Sequence, residues 1–213
     1  MSRNKPKSRV KSGKLKTSSK RWVERQINDQ YVDEAKKQGY RSRAAFKIKE
    51  IDEKVGLLRR GMVVVDLGAA PGGWSQVAVE KGCTVVALDL LDMDVPGVKF
   101  LKMDFMDDEA PAKLKELLDG PVDVVLSDMA PNTTGHKQTD HLRIMAVVEA
   151  AYQFATEVLK PGGTFVAKVF QGGAQHEILA VMKKDFEKIR HIKPPASRKE
   201  SSEQYLVATG FRG

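Results

Sequence analysis

The chain alternates between two kinds of hydrophobic pattern. Short apolar, β-branched runs recur at MVVVDLG (62–68), TVVALDL (84–90), VKFLKMD (98–104), VDVVLSD (122–128), TFVAKVF (164–170) and QYLVATG (204–210), with a further strand predicted at FEKIRHI (186–192). Stretches with helical spacing lie between most of them, at 74–81, 108–118, 139–159 and 174–185. Strands alternating with helices predict βαβ units and a mostly parallel sheet. The first four runs are nearly continuous in apolar residues, as strands covered on both faces should be. Right-handed crossovers then give an α/β, doubly wound sheet of seven strands with helices on both faces. The last run follows the 186–192 run after a short link, which predicts a hairpin and an antiparallel last strand.

A length of 213 residues suits one domain with a substantial core. No apolar run is long enough to span a bilayer, and no apolar segment follows the basic N-terminus as a secretory signal requires. The single cysteine, Cys83, excludes a disulfide framework and a cysteine-rich metal site, so a cytoplasmic protein is expected. The net charge of +8 is local. Residues 1–20 carry eight Lys or Arg and no acid, which leaves 28 basic against 28 acidic residues in the remainder. This tail has too little apolar content to offset its ordering entropy and is expected to be mobile. It suits either holding phosphates or simple solubilisation. Residues 21–213 form the expected single domain.

Before the first strand comes a helical segment at about 21–38, then a second with an apolar stripe of Ala44, Ile48, Ile51 and Val55. Lys47 falls on the edge of that stripe, roughly 40° round from Ile51. A lysine there is expected to snorkel to water.

Four strand-like runs end in an acid at or near their carboxyl ends: Asp66, Asp89, Asp104 and Asp128. Ligands of open α/β sheets bind outside those ends. After the first run, GAAPGG departs from the dinucleotide pattern G-x-G-x-x-G, because alanine replaces the middle glycine and Pro71 stiffens the loop. Gly68, Gly72 and Gly73 still allow a ligand to approach the main chain. Asp89 follows Gly68 by 21 residues and stands where a carboxylate accepts ribose hydroxyls. An adenosine without a pyrophosphate, joined to a charged amino-acid portion, points to S-adenosyl-L-methionine. The structural alternative is a tight turn with no ligand.

The stretch SDMAPN (127–132) lacks the Pro-Pro-aromatic pattern of base-amine methyltransferases. Cys83 lies far from the fourth strand and reads as a core residue rather than a nucleophile. Lys168, by contrast, interrupts the apolar run TFVAKVF. A buried lysine is costly unless paired, and at the ligand end of a sheet it can serve a hydroxyl nucleophile as base or as cation. Its amine could also escape at the strand end.

The segments SRAAFK, VVDLGAAPGGWSQV, SDMAPN, AKVFQGG and SSEQYLVATG occur in that order. Together they make the chain, from about residue 20, similar to the FtsJ-type ribosomal RNA 2′-O-methyltransferases. It most resembles the bacterial members that methylate a uridine ribose of large-subunit (23S) rRNA. The resemblance implies a Rossmann-like S-adenosylmethionine-dependent methyltransferase fold and a catalytic set of Lys47, Asp128, Lys168 and Glu203. It implies cofactor contacts from Gly72, Trp74, Asp89, Asp104 and Asp128. Lys168 would take the 2′-hydroxyl proton, Asp128 and Glu203 would hold its amine, and Lys47 would add positive charge. For Trp74 the plain alternative is core packing. RNA contacts are expected from Arg41, Arg43, the polar loop 131–140 and the tail. His136 and His141 have no third ligand at metal spacing and read as exposed loop residues. A monomer acting on rRNA, within the large ribosomal subunit and without membrane association, is expected. Competing functions are a non-catalytic RNA-binding assembly factor, a nicotinamide oxidoreductase, and a tRNA or mRNA-cap ribose methyltransferase.

Overall fold

In the computed structural model, residues 29–131, 134–171 and 176–213 are described. The basic tail, the first part of the helix expected at 21–38 and two positions of the polar loop lie outside them. The elements are α1 (Gln30–Lys37), α2 (Ala44–Val55), β1 (Val63–Leu67), α3 (Gly73–Glu80), β2 (Thr84–Asp89), β3 (Val98–Lys102) and α4 (Ala110–Glu116). They continue with β4 (Val122–Ser127), α5 (Lys137–Val158), β5 (Leu159–Phe170), α6 (His176–Asp185), β6 (Phe186–Ile192) and β7 (Glu203–Phe211).

Local chemistry sets several boundaries. Asp29 caps α1 by accepting the Tyr31 N–H at 3.1 Å. Gly56 ends α2 in the left-handed region at φ 66°, where a side chain would be strained. β5 starts earlier than its apolar run suggests, at Leu159, with a register shift against β4 between Val122 and Val124.

The seven strands lie in the order β3-β2-β1-β4-β5-β7-β6. β7 alone is reversed and pairs antiparallel with both β5 and β6. The order turns back between β1 and β4, so the loops after these two strands diverge and open a crevice. One expectation is corrected at β3. It is the edge strand and only partly covered, because among the described residues no strand pairs with its outer side.

The sheet separates two apolar layers. One packs Leu114 of α4, Ile144 and Phe154 of α5 and Met182 of α6 against Val65, Phe165 and Leu206. The other packs Ile48 and Ile51 of α2 and Trp74 and Val77 of α3 against Val64, Leu126, Val166, Tyr205 and Val207. The period of two along β7, Tyr205 and Val207 to one side and Leu206 and Ala208 to the other, divides its residues between the layers. Cys83 is buried with its thiol bonded to the Arg59 carbonyl, as expected of a core residue.

Candidate active site

The crevice begins at the glycine turn. Gly68 has φ 76°, and a Cβ on it would lie 2.7 Å from Met129 Cγ. A bare Cα is therefore what lets the β1 and β4 loops pass each other. Gly72 has φ 103°, and a Cβ there would strike Val95 Cγ2 at 2.4 Å. These two positions are glycine because of protein neighbours, whatever else approaches them.

The four strand-end acids divide by environment. Asp66 is fully buried. Its Oδ2 accepts the Ser75 hydroxyl at 2.6 Å, which anchors the first turn of α3. Burial pushes its carboxyl up to about 7, against the lowering effect of Ser75. Asp89 sits at the lip, with its two oxygens accepting the Ala70 and Leu91 N–H groups at 2.9 and 2.8 Å. Asp104 lies just past β3 and accepts the Met106 N–H at 2.9 Å. Leu90, Leu91 and Met106 stand exposed beside these two carboxylates.

Asp128, just past β4, belongs to a different cluster. Lys168 in β5 lies directly opposite Tyr205 in β7, so the two side chains share a face. The Lys168 amine donates to the Asp128 carbonyl and lies 3.2 Å from Asp128 Oδ1. The Tyr205 hydroxyl donates to the same Oδ1 at 2.7 Å. From α2, Lys47 Nζ reaches Tyr205 Oη at 3.2 Å and Glu203 Oε1 at 2.6 Å. Two lysines and two carboxylates are thus joined through one phenol. Desolvation opposes ionisation of Asp128, but Lys168 and Lys47 outweigh it and hold its carboxyl below the usual range. Burial first, then Asp128 and Glu203, push the Tyr205 hydroxyl well above its ordinary value, so it remains a donor. Hydrogen bonds to charged groups contribute about 1.5–3 kcal/mol each.

Trp74 closes the cluster from below. Its indole N–H donates to the Ala44 carbonyl at 2.9 Å, and its ring packs on Tyr205 at 5.3 Å.

The structure brings Lys47, Asp128, Lys168 and Glu203 together as expected, and revises their connections. Lys47 is buried rather than snorkelling, because Glu203 and Tyr205 offer acceptors inside the protein. Glu203 pairs with Lys47 rather than Lys168. The β5–β7 register sets Glu203 opposite Phe170, two residues beyond Lys168. Arg43 is also committed within the protein, with Nε 3.0 Å from Asp29 and Nη2 bonded to the Ala196 carbonyl at 2.5 Å. Arg41 is exposed beside the glycine turn. His136, at the N-cap of α5, is an exposed loop residue as expected, whereas His141 lies in the second turn of the helix, half-buried. Among the described residues no cluster of three His, Cys, Asp or Glu side chains is placed to hold a metal. Sequence reasoning missed Tyr205; the available signal was a hydroxyl two residues after Glu203 in SSEQYLVATG, on the same face of a strand of period two.

A reversed seventh strand inserted between β5 and β6, beside a crevice between β1 and β4, is the architecture of Rossmann-like methyltransferases. Within that class, the chain belongs to the FtsJ-like methyltransferase family, which it matches over residues 40–211. It is 61% identical over 212 residues to the ribosomal RNA large subunit methyltransferase E of Rhodopseudomonas palustris, covering 96% of this chain and 90% of that one. The enzyme of the same name from Bradyrhizobium diazoefficiens is 60% identical over 208 residues, covering 94% and 91%. Among solved structures, a Plasmodium falciparum protein described as a candidate ribosomal RNA methyltransferase aligns with TM-score 0.73 and 33% identity. That alignment covers 82% of this chain and 100% of the other.

Proposed function

We propose that the chain transfers the methyl group of S-adenosyl-L-methionine to the ribose 2′-hydroxyl of a uridine in 23S ribosomal RNA. The observation that carries this is the pair of buried Lys168 and half-buried Asp128 at the mouth of the β1–β4 crevice, linked through Tyr205 to Lys47 and Glu203. The names of the relatives support large-subunit rRNA as substrate.

The residues at the crevice fit the cofactor. An ionised carboxylate has about four acceptor positions, so Asp89 retains capacity for ribose hydroxyls after binding two N–H groups. Asp104 and the exposed Leu90, Leu91 and Met106 supply an acceptor and apolar surface suited to an adenine. Gly72 and Trp74 would contribute through the main chain at the start of α3, and Asp128 through its carboxylate. The cofactor, when bound, supplies an electrophilic sulfonium methyl group.

The remaining chemistry belongs to this chain. A hydroxyl is a weak nucleophile near neutral pH and gains from a group that takes its proton or stabilises its negative charge. Lys168 stands where it can do either. Asp128 fixes the amine's position by two contacts, and Tyr205 fixes Asp128. Lys47 adds a second positive charge to the cluster, itself neutralised by Glu203. The target nucleotide must be unpaired for its ribose to reach this mouth. Arg41 and the 134–140 segment, which Asp140 ties together by bonds to Thr134 and Gly135, flank the approach for RNA phosphates. The protein acts as a monomer in the cytoplasm, on rRNA within the large subunit.

The test is ribose-methylation mapping of rRNA from cells with and without the protein, together with labelled methyl transfer in vitro using Lys168→Ala as control. One uridine losing its 2′-methyl, with no transfer by the variant, is expected. An unchanged methylation map would exclude this function. A pH–rate profile of single-turnover transfer separates the two roles of Lys168: a rise across lysine titration marks the base, and a flat profile marks the cation.

A further inference from the structure

The connection between β6 and β7, residues 193–202, lies across the cluster on its α2 side. Its sequence, KPPASRKESS, has no regular element, yet it is tied down from three directions. Toward α2, the Ala196 N–H donates to Glu50 Oε2 at 2.7 Å, and the Ala196 carbonyl accepts Arg43 Nη2. Toward α1, Arg198 reaches Asp29 Oδ2 through Nη2 and Nε at 3.2 and 3.3 Å, and Arg43 binds the same oxygen. Within the connection, Lys193 Nζ donates to the Lys199 and Ser201 carbonyls at 3.3 and 2.7 Å, and the Glu203 N–H donates to Ser201 Oγ at 3.1 Å. Ala196 and Ser197 are buried, an uncommon condition for a link between strands.

One side chain of the connection points into the cluster. Ser197 is 4% exposed, and its hydroxyl donates to Glu203 Oε1 at 3.1 Å. That oxygen is the one 2.6 Å from Lys47 Nζ. A glutamate has three rotatable side-chain bonds, and a single ion pair would leave its carboxylate free to swing. Ser197 from the connection and Lys47 from α2 converge on one oxygen, with Tyr205 Oη 3.3 Å from it, and together these contacts restrict it to one orientation. The Glu50 and Asp29 anchors in turn fix where Ser197 stands.

We infer that the 193–202 connection is a positioning strap for the Lys47–Glu203 pair, and that Ser197 is the positioning residue through which it acts. This rests on the assignment of Lys47 and Glu203 to the reacting site. Ser197 touches neither lysine, so its effect must pass through Glu203. That dependence distinguishes it from a residue that merely stabilises the fold. Effects routed through a shared partner are non-additive, whereas independent structural effects add.

The experiment is a double-mutant cycle on single-turnover methyl transfer to 23S rRNA, with Ser197→Ala and Glu203→Ala separately and together, and RNA affinity measured in parallel. Ser197→Ala is expected to slow transfer roughly 5- to 20-fold, less than the full worth of one hydrogen bond to a charged group because Lys47 still holds Glu203, without changing RNA affinity. In the Glu203→Ala background the same substitution should change the rate less than about twofold. Ser197→Thr, which keeps the hydroxyl, should restore most of the rate. Arg198→Gln loosens the strap at its surface anchor without touching the cluster. It should also slow transfer with the same dependence on Glu203, which keeps the question answerable if Ser197→Ala does not fold. Wild-type rates for Ser197→Ala, additive losses in the cycle, or a loss confined to RNA affinity would overturn the strap. If the wild-type protein itself transfers no methyl group, it is the proposed function that fails, not the strap.

Discussion

The carboxyl ends of β1 and β4 lie side by side, and each carries an aspartate with a different fate. Asp66 at the end of β1 is fully enclosed and has the Ser75 hydroxyl as partner, and burial drives its carboxyl up to about 7. Asp128 just past β4 is also desolvated, but Lys168, Lys47 and the Tyr205 hydroxyl hold it ionised. The same residue type at equivalent ends of adjacent strands thus serves once as a packing anchor and once as a charged platform. What separates them is the neighbouring strand. β1 is flanked by β2 and β4, whereas β4 is flanked on its far side by β5, which carries Lys168.

Removing the cation should break this contrast most severely. Lys168→Ala is expected to lower methyl transfer about 10²- to 10⁴-fold, the range of a lost proton-transfer or charge-stabilising group. Cofactor affinity, read by calorimetry, should be unchanged. Asp128 would also lose its nearest cation, so its protonation in an acid titration should shift upward.

The second prediction concerns the sign of pH dependence at each end. Asp66 has a raised folded pKa, so its contribution to stability is fully present below the unfolded carboxylate pKa near 3.8 and is lost as pH rises through about 7. By linkage the loss approaches about 4 kcal/mol at most. Asp66→Asn should flatten the wild-type decline in unfolding free energy between pH 4 and 7. Asp128 has the opposite sign: its contribution is present above the unfolded carboxylate pKa and is lost as pH falls below it. Urea unfolding across pH 3–8 checks both. Identical profiles for wild type and Asp66→Asn would sink the contrast.

Tyr205→Phe should have a smaller effect. It deletes the hydroxyl joining Asp128 to Lys47 while keeping the ring against Trp74. A loss of about 1–2 kcal/mol in stability and a several-fold slower transfer are expected. Trp74→Phe should matter least. It removes the bond to the Ala44 carbonyl and costs about 1 kcal/mol by thermal denaturation. Cofactor affinity should be preserved; if it falls, the indole side chain itself contacts the cofactor.

The difference between the two strand ends also marks how far the sequence could be read. The βαβ alternation, the reversed β7 and the strand-end acids follow from local patterns of period two and period 3.6, which a chain displays residue by residue. The four residues of the lysine–carboxylate cluster were legible through family resemblance, and Lys168 also through its interruption of an apolar strand. Their partners were not. Whether Glu203 meets Lys168 or Lys47 depends on the β5–β7 register, set by tertiary packing between residues far apart in sequence. Lys47 looked like a snorkelling residue because a helical wheel shows its own helix, not the carboxylate brought to it by β7. Asp66 was grouped with the ligand-facing acids for the same reason: position at a strand end does not reveal which face the side chain takes. Ser197 carried no motif, Tyr205 lay unremarked inside SSEQYLVATG, and only the fold shows what they touch.

On the proposed function, Lys168 faces the space where a ribose hydroxyl meets the methyl donor. A crystal structure with a non-reactive S-adenosylmethionine analogue and a short RNA carrying the target uridine tests it directly. The predicted result places Lys168 Nζ within hydrogen-bonding reach of the 2′-oxygen, about 3 Å. An amine turned to bulk solvent, more than about 10 Å from the donor and far outside any near-attack geometry, would contradict it.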